Sequence, residues 1–399
     1  MLLASLNMAD EFDRIAFSAL SPEIRDAFGL SDASILMLNV LPGVMILLTA
    51  GLIGWFADRY SRIVVSIVAA VAWAVASVLT GVVGTLVLLI FVRIISGLGR
   101  AANEIVHPSL IADMYPEETH PRAYLVHRLG NPIAQASGVL AGWIATRWDW
   151  QAAFIALALP TFVLIAFLSR LRDPGRRSLT SGELGLAGTA SEKEPMRVAF
   201  GVLRRIASMR RLWVAAVMLG AASFGIFGLA SLYFEGQFGL GKQGRGFVQF
   251  LIGMGWVVGV AIGGLAAQRA TETKKYERLV LVCAASFLLI AFGGLALALS
   301  PVLWLSFAIV VLLALGNGIW QAPFFSSVAR IAPPSLSGQA FGSSATAYAV
   351  GGFLTIVIAL ASEQAGERVG FAIVSIFGLG AALAARSVAT TIRADLHED

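Results

Sequence analysis

Residues 34–83 read SILMLNVLPGVMILLTAGLIGWFA, then DRYSR, then IVVSIVAAVAWAVASVLTGVV. Two long apolar runs therefore flank a short loop that carries Asp58, Arg59 and Arg62. A helix needs about 20 apolar residues to cross the hydrocarbon core of a bilayer, and each run is long enough. The stretch predicts two membrane-spanning helices joined by a charged loop.

The same pattern continues in both directions along the 399 residues. Hydrophobic residues make up 58% of the chain and charged residues only 13%, whereas a soluble domain carries about 25% charged residues. This composition excludes an ordinary soluble enzyme and a disordered chain, and the uninterrupted runs lack the alternation of β-barrel strands. Helices remain, because they satisfy their own backbone hydrogen bonds in lipid. We expect an all-α membrane protein with twelve transmembrane helices, at about 2–24, 34–57, 63–83, 86–113, 122–145, 149–171, 211–235, 242–267, 276–299, 301–328, 337–362 and 366–390.

Metals and cofactors are not expected from this sequence. The single cysteine, Cys283, excludes a zinc cluster built on thiolates, and the four histidines show no metal-binding spacing. No nucleotide-binding loop or nucleophile–base pair is visible, so we expect no cofactor and no enzymatic activity. The net charge of +5 reflects membrane loops rather than binding to nucleic acid. The start of the chain lacks a basic segment, so a cleavable signal peptide is not expected.

The lysines and arginines predict the orientation of the helices. With the N-terminus inside, 20 of the 29 lie in loops and tails on the inner side and five lie on the outer side. Cytoplasmic loops of membrane proteins carry an excess of these residues. We therefore expect a multi-pass protein of the plasma (inner) membrane with both termini in the cytoplasm.

One long polar stretch divides the predicted helices into two groups of six. Residues 172–210 begin as a Gly/Ser-rich linker and end with basic and apolar residues at helical spacing. The second part is typical of an amphipathic helix on an anionic membrane surface, and an unstructured basic loop is the alternative. The predicted organisation is a six-helix bundle at 1–171, a cytoplasmic linker at 172–210, and a second bundle with a short tail at 211–399.

The two groups of helices repeat each other. The same spacing separates Gly99 from Gly316 and Arg122 from Gln339, and these residues occupy equivalent places in the two groups. Repeated units of this kind place a substrate site at the interface between the halves, near the middle of the membrane. We expect two pseudo-symmetric halves with a site between them.

The charged loop at 54–62 has the form GxxxDRxxR. It resembles a signature of the major facilitator superfamily, whose fold has twelve helices in two six-helix halves. Gly54 allows close approach of helices, and the arginines can form an ion-pair latch; a plain basic turn is the alternative. The resemblance implies a gating role for Gly54, Asp58, Arg59, Arg62 and, on span four, Asp113.

Within the superfamily, residues of about 10–175 resemble the spinster family of lipid transporters. The matching features are Asp13-Arg14, the segment from Arg93 to Gly99, the segment from Pro108 to Asp113, Arg122 with Pro132, and Arg172-Asp-Pro-Gly175. One position departs from the family pattern, which has a glutamate seven residues after the arginine. Arg100 occupies that position here, and Glu104 follows one helical turn later. Either the acidic function has moved by a turn or the coupling chemistry differs.

Charged residues within the spans of the first half are candidate functional residues, because charge inside a bilayer is costly and usually faces a cavity. Arginines match phosphate or carboxylate oxygens, and a carboxylate near an arginine can change its protonation. We predict that proton coupling involves Asp13, Glu104 and His127. We predict that substrate contacts come from Arg14, Arg93, Arg100, Arg128, Asn131 and Gln135. The alternatives are a static salt-bridge network and, for His127, a simple hydrogen bond.

The second half differs, because its spans contain few charges and many aromatic or amide residues. Trp320, Gln321 and Phe324 are predicted to bind substrate, since the repeat places them opposite span four; ordinary packing is the alternative. Four arginines against two carboxylates predict a positive cavity wall in the first half. A positive wall facing an aromatic wall suits an amphiphile.

Together these features predict a secondary active transporter that works by alternating access and couples to protons. The expected substrate is an anionic or zwitterionic lipid-like molecule, of the lysophospholipid or sphingoid-phosphate type. Small amphiphiles, protons and membrane lipids are the expected partners, and the chain is expected to be a monomer. One alternative is a proton-coupled multidrug exporter for hydrophobic cations, which the arginines disfavour. Another is a receptor or scaffold that does not transport.

Overall fold

The computed structural model describes residues 1–114, 120–171, 196–333 and 337–395. Every secondary-structure element in these ranges is a helix. The helices are α1 (Leu2–Ala19), α2 (Ser21–Phe28), α3 (Asp32–Arg59), α4 (Arg62–Thr80), α5 (Leu86–Met114), α6 (His120–Ala134), α7 (Ser137–Arg147), α8 (Trp150–Leu168), α9 (Met196–Leu203), α10 (Ala207–Phe238), α11 (Lys242–Glu272), α12 (Glu277–Leu299), α13 (Leu303–Ile319), α14 (Gln321–Ile331), α15 (Ser337–Ala365), α16 (Glu367–Val388) and α17 (Ile392–Asp395).

These helices form twelve membrane-spanning units in the described ranges. Three units are pairs of consecutive helices, α1 with α2, α6 with α7, and α13 with α14, and the other nine are single helices. Eight helical segments of the described ranges are both long and apolar enough to cross a membrane. The units coincide in number and order with the predicted spans. We call α1–α8 the first half and α10–α16 the second half.

Prolines explain two of the positions at which a span divides. Pro323 lies in the first turn of α14, and its ring clashes with a helical carbonyl four residues earlier, at Ile319, where α13 ends. Pro22 lies in the first turn of α2, where a proline loses no hydrogen bond. The end of the bundle that holds α2 and the α10–α11 connection is called the α2 end below.

Glycine contacts hold the helices of the second half close together. A Cβ added at Gly259 of α11 would lie 2.2 Å from the carbonyl oxygen of Leu315 on α13, and one at Gly351 of α15 would lie 2.1 Å from that of Val217 on α10. Small residues permit this approach, which is the usual way in which membrane helices pack. The packing fixes α10, α11 and α15, the helices that line the site described below.

The outer surface of the bundle is apolar. Large side chains such as Val87, Phe292, Trp304 and Ile376 are mostly exposed, and they belong to four different helices. Soluble monomers rarely expose apolar surface on this scale. The surface is that of a multi-pass membrane protein and accounts for the high hydrophobic content of the chain.

The linker between the halves is only partly described. Residues 172–195 lie outside the described residues, and the predicted amphipathic segment forms the short helix α9, which ends at Leu203. The chain turns at 204–206, and α10 begins at Ala207, inside the predicted linker. Phe200 stacks on Trp213 with ring centroids 5.2 Å apart. The basic segment therefore divides between α9 and the first turns of α10, and one continuous amphipathic helix is not formed.

Candidate functional site

A cavity of about 530 Å³ lies between the two halves. The first half contributes Leu129, Asn131 and Pro132 of α6, and the second half contributes residues of α10, α11, α14 and α15. Asn7 of α1 donates hydrogen bonds to the side chain of Asn131 and to the carbonyl of His127. The polar group of Asn131 is therefore held in place at the cavity wall.

The second half supplies an aromatic wall. The aromatic lining residues are Trp256, Trp320, Phe324, Phe325 and Tyr348. Trp320 stacks on Tyr348 with ring centroids 5.9 Å apart and meets Phe324 edge-on at 5.6 Å. Gln321 and Ser344 add polar groups to the wall. Among the side chains that the structure describes, none that lines this cavity is charged, so the wall suits an apolar group flanked by hydrogen-bonding groups.

Asn317 of α13 orients this wall, a role that its position in the sequence does not indicate. Its Oδ1 accepts hydrogen bonds from the Ser223 hydroxyl at 2.9 Å and from the Trp320 indole N–H at 3.3 Å. The amide thus connects α10 with α13 and fixes the Trp320 ring. Both donors are buried, so they would be costly to leave without an acceptor.

Replacement of Asn317 by leucine is expected to reduce the free energy of unfolding by about 1–3 kcal/mol and to weaken substrate binding through a misplaced Trp320. Denaturation and ligand binding of the purified protein in detergent measure the two effects. The Asn39→Leu variant is the matched control, because Asn39 is bonded within α3 and to Ser21 and does not line the cavity. Unchanged ligand affinity in Asn317→Leu would remove Asn317 from this role.

Two of the predicted charged residues form a buried ion pair in the first half. Arg93 of α5 and Asp13 of α1 are 2.6 Å apart and are 1% and 3% exposed. Ser96 donates a further hydrogen bond to the Asp13 carboxylate at 3.3 Å, and the Arg93 guanidinium lies 4.2 Å from the Phe17 ring centroid. Neither member of the pair lines the cavity. In this conformation the pair joins α1 to α5.

Two further arginines are also paired with acidic residues of α1. Arg100 Nε lies 3.3 Å from an oxygen of Asp10, and Arg14 lies 2.5 Å from Glu11. The prediction of a positively charged cavity wall is therefore wrong. Asp10 and Glu11 are buried beside these arginines and supply negative charge that the prediction did not count. Sequence reasoning missed these two partners, although the clustering of acids in the first span was a signal.

Arg14 lies nearest the boundary between the halves. Its guanidinium is 5.2 Å from the ring centroid of Phe227 on α10, and that ring is 5.8 Å from the ring of Trp256, which lines the cavity. Among the predicted arginines whose side chains are described, Arg14 is therefore the one that reaches the second half.

The remaining predicted polar residues, His127, Asn131 and Gln135, lie on α6 or directly after it, and His127 and Gln135 are buried. His127 Nε2 lies 3.2 Å from His107 Nδ1, with the two rings edge-to-face. His107 is a partner that the sequence did not indicate. Gln135 is 1% exposed and does not line the cavity, whereas Asn131 does.

Several predicted residues cannot be placed by their side chains. Gly54 belongs to α3, and Arg62 begins α4, where the Ser61 hydroxyl accepts a hydrogen bond from the Val64 amide. The side chains that lie outside the described residues are those of Asp58, Arg59, Glu104, Asp113 and Arg128. The predicted gating, proton-coupling and substrate-binding roles of these residues stay predictions.

Ion pairs between the halves occur at the α2 end. Arg245 of α11 is bonded to Glu23 of α2 and to the carbonyl of Ala19, and Arg25 of α2 is 3.3 Å from Glu235 of α10. Hydrogen bonds from the Arg25 guanidinium to the carboxylates of Asp26 and Asp32 also hold it in place. Arg25 is therefore a fixed cation. We call Glu23, Arg25, Glu235 and Arg245 the α2-end latch.

Backbone packing closes the halves at the same end. A Cβ added at Gly246 of α11 would lie 2.1 Å from the carbonyl oxygen of Gly138 on α7. Nearby, the Ser18 hydroxyl donates to the carbonyl of Phe227 at 2.7 Å, and Ser231 donates to the carbonyl of Ala19 at 2.8 Å. The two halves are thus in direct contact beyond the cavity, on the side of α2.

The sequence profile of the Major Facilitator Superfamily matches residues 3–356. The chain belongs to the major facilitator superfamily. The predicted fold of twelve helices in two six-helix halves is confirmed.

The predicted resemblance of this superfamily member to spinster proteins is also confirmed. Spinster homolog 1 of Xenopus laevis is 23% identical over 186 residues, which cover 45% of this chain and 35% of the Xenopus protein. The chain thus matches about a third of the length of that relative. A probable sulfoacetate transporter of Cupriavidus necator is 23% identical over 369 residues, covering 87% of this chain and 82% of that protein.

Solved structures show the same superfamily fold. A bacterial homologue of the human lysosomal transporter spinster, in an inward-facing and unoccupied conformation, gives a TM-score of 0.84 at 15% identity and covers 100% of this chain and 97% of its own. A D-xylose–proton symporter gives a TM-score of 0.76 at 14% identity, covering 96% and 95%. Identities this low describe the fold alone, so the substrate has to be argued from the cavity.

Proposed function

We propose that this transporter moves an anionic or zwitterionic amphiphile, of the lysophospholipid or sphingoid-phosphate type, by alternating access with proton coupling. The observation that carries the proposal is the aromatic wall of the cavity, formed by the second half. Aromatic side chains bury large apolar areas, so the wall suits an acyl chain. Polar groups at Asn131 and Gln321 stand beside it for the headgroup.

The proposal includes the setting of the protein. The bundles at 1–171 and 211–399 rock about the cavity, with the 172–210 linker and both termini in the cytoplasm. The protein acts as a monomer in the plasma (inner) membrane and has no catalytic activity. The excess of lysine and arginine in the loops on one side supports this orientation.

Proton coupling is proposed to involve Asp13, Glu104 and His127. The close His107–His127 contact supports a role for His127, because a hydrogen bond between two imidazole rings needs one ring nitrogen with a proton and one without. The Asp13–Arg93 pair is proposed to be exchanged during the transport cycle, when a substrate or a proton competes for one of its members.

A hydrophobic cation is the second candidate substrate, because aromatic rings also attract cations. The relative named as a sulfoacetate transporter makes a small organic anion the third. Both lack a feature that the cavity favours: the cation has no acceptor oxygens for the amides, and a small anion has no chain for the aromatic wall.

Flux into liposomes is expected to distinguish these candidates. Purified protein is reconstituted, and uptake of lysophosphatidylglycerol, tetraphenylphosphonium and sulfoacetate is measured with and without a pH gradient. We expect flux of the lysophospholipid, enhanced by the gradient. Exclusive flux of either other probe would reassign the substrate, and no flux of any probe would favour a receptor or scaffold.

The Phe324→Ala variant is expected to lower lysophospholipid affinity by about tenfold or more. Loss of the apolar contact of a phenylalanine costs about 1.5–3 kcal/mol, and about 1.4 kcal/mol is a factor of ten. Phe353→Ala is the matched control, because Phe353 is an exposed aromatic residue of α15 that does not line the cavity. Equal affinities of the two variants would contradict a role for the aromatic wall.

A further inference from the structure

Gln135 occupies an unusual position at the break between α6 and α7. It is 1% exposed, and neither its amide nitrogen nor its amide oxygen has a hydrogen-bond partner in the part of the chain that the structure describes. The residue packs against α11, where a Cβ added at Gly253 would lie 2.6 Å from the Cβ of Gln135. Because Gly253 has no side chain, it leaves room for the side chain of Gln135.

Trp256 lies one helical turn further along α11 from Gly253. Its indole nitrogen is buried and likewise has no hydrogen-bond partner within the described residues. The side chain lines the cavity opposite Asn131 and Pro132 of α6. Gln135 and Trp256 thus belong to one seam, in which the broken helix of the first half meets α11 of the second half.

Three other amides near the cavity have hydrogen-bond partners. Asn131 is bonded to Asn7, Asn317 to Ser223 and Trp320, and Gln249 of α11 to Ser18. Buried polar groups in native proteins almost always have partners, and each exception needs an explanation. Two exceptions at one seam, beside the cavity between the halves, indicate groups that are kept for a ligand.

We propose that Gln135, which lies behind the cavity wall in this conformation, and Trp256, which lines the cavity, donate hydrogen bonds to an oxygen of the transported substrate when α6 and α11 separate at this seam. The inference rests on the function proposed above. An indole N–H can only donate, so the group it binds must be an acceptor: a phosphate-ester, carboxylate or hydroxyl oxygen. One donor comes from each half, so the bound oxygen bridges the halves. In this conformation polar recognition then depends on uncharged donors, because Arg14, Arg93 and Arg100 are paired with acidic residues of α1.

Two substitutions remove only the donor groups. Trp256→Phe keeps an aromatic ring at the cavity wall, and Gln135→Leu keeps a side chain of similar size. Trp213→Phe is the control for the first, because the Trp213 indole nitrogen also has no partner in the described chain but lies against Phe200, away from the cavity. Gln249→Leu is the control for the second, because its amide is bonded.

Binding to the purified full-length protein in nanodiscs tests the proposal, with lysophosphatidylglycerol and tetraphenylphosphonium as probes. We expect the Kd for the lysophospholipid to rise by about tenfold or more in both variants, since a site built to donate hydrogen bonds depends on them strongly. The Kd should not change in Trp213→Phe. The Kd for tetraphenylphosphonium, which has no acceptor, should be the same in all of these proteins.

Thermal unfolding without ligand gives an independent readout. Gln135→Leu is expected to melt at or above the wild-type temperature, because an apolar side chain replaces an unsatisfied amide. Gln249→Leu is expected to melt below it, because Ser18 loses a partner. A lower melting temperature for Gln135→Leu would show that its amide is structural and would overturn the inference.

The outcomes separate this inference from the proposed function. Wild-type binding of lysophosphatidylglycerol with unchanged affinity in both variants overturns the inference and leaves the proposed function standing. Absence of any lysophospholipid binding by the wild type overturns the proposed function. In that case the melting temperature of Gln135→Leu still tests the inference. A raised melting temperature supports a Gln135 amide that is kept for another acceptor ligand, and a lowered melting temperature rejects this role.

Discussion

Replacement of Arg93 by methionine is expected to cost the folded protein about 3–5 kcal/mol, because Asp13 would become a buried carboxylate without its cation. The two groups are 2.6 Å apart and almost completely buried, so water cannot replace the guanidinium. The hydrogen bond from Ser96 would remain but carries no positive charge. Unfolding in detergent, followed by circular dichroism, measures the loss.

The double variant Asp13→Asn, Arg93→Met separates stability from function. Removal of both members of a buried ion pair is often neutral or stabilising, so the double variant is expected to recover most of the lost stability. If the pair is exchanged during transport, the recovered protein will still lose pH-dependent flux. Full transport in the double variant would make the pair a static connection between α1 and α5. An Arg93→Met protein as stable as the wild type would contradict the burial of the pair.

The first of these results also bears on Arg100 and Arg14. Arg14, Arg93 and Arg100, which are the predicted substrate-binding arginines with described side chains, are all bonded to acidic residues of α1. Three paired cations change the electrostatics of the half, because a pair contributes little net potential at the cavity. Only a conformational change that separates a pair would expose a guanidinium to substrate. We therefore expect substrate to compete with α1 for an arginine rather than to find one free.

The fold could be predicted from the sequence because its signal is continuous. Each span is a run of apolar residues long enough for the bilayer, and the polar stretch at 172–210 interrupts them once. The division of a span is harder to predict. Pro323 lies in the first turn after one break, whereas the turn at 135–136 between α6 and α7 comes three residues after Pro132, which lies inside α6.

The candidate site could be predicted only in part. Asn131, Trp320, Gln321 and Phe324 were singled out as polar or aromatic residues on the facing helices, and all four line the cavity. The pairing of residues that are distant in the sequence could not be predicted, because it depends on tertiary packing. Arg245 and Glu23 of the α2-end latch are separated by 222 positions, and no spacing in the sequence relates them.

Replacement of Gly246 by valine is expected to have the second large effect, by separating the halves at the α2 end. A Cβ there would lie 2.1 Å from the Gly138 carbonyl oxygen, whereas ordinary contact begins at 3.4 Å. Backbone cannot yield as a flexible side chain can, and overpacking typically costs about 1–3 kcal/mol. That cost falls on the conformation closed at α2, so the equilibrium should shift away from it by about tenfold or more.

Distances between spin labels measure the shift. Labels at Ala27→Cys and Gly241→Cys lie on exposed positions of the two halves at the α2 end, and the native Cys283 is buried. We expect the distance distribution to move to longer values in Gly246→Val, with reduced flux. Gly264→Val on the same helix is the matched control, because a Cβ there meets nothing within 4 Å.

An unchanged distance distribution in Gly246→Val would mean that the α7–α11 contact is not what holds this end closed. The α2-end latch, with the hydrogen bonds of Ser18 and Ser231, would then have to hold it. Salt distinguishes these possibilities, because screening weakens ion pairs that water can reach but leaves backbone packing intact. If high salt opens the wild type while Gly246→Val does not, the ion pairs are the gate. If Gly246→Val opens the α2 end at low salt, the glycine contact between α7 and α11 is the gate. The ion pairs then determine only how the two halves align when they meet.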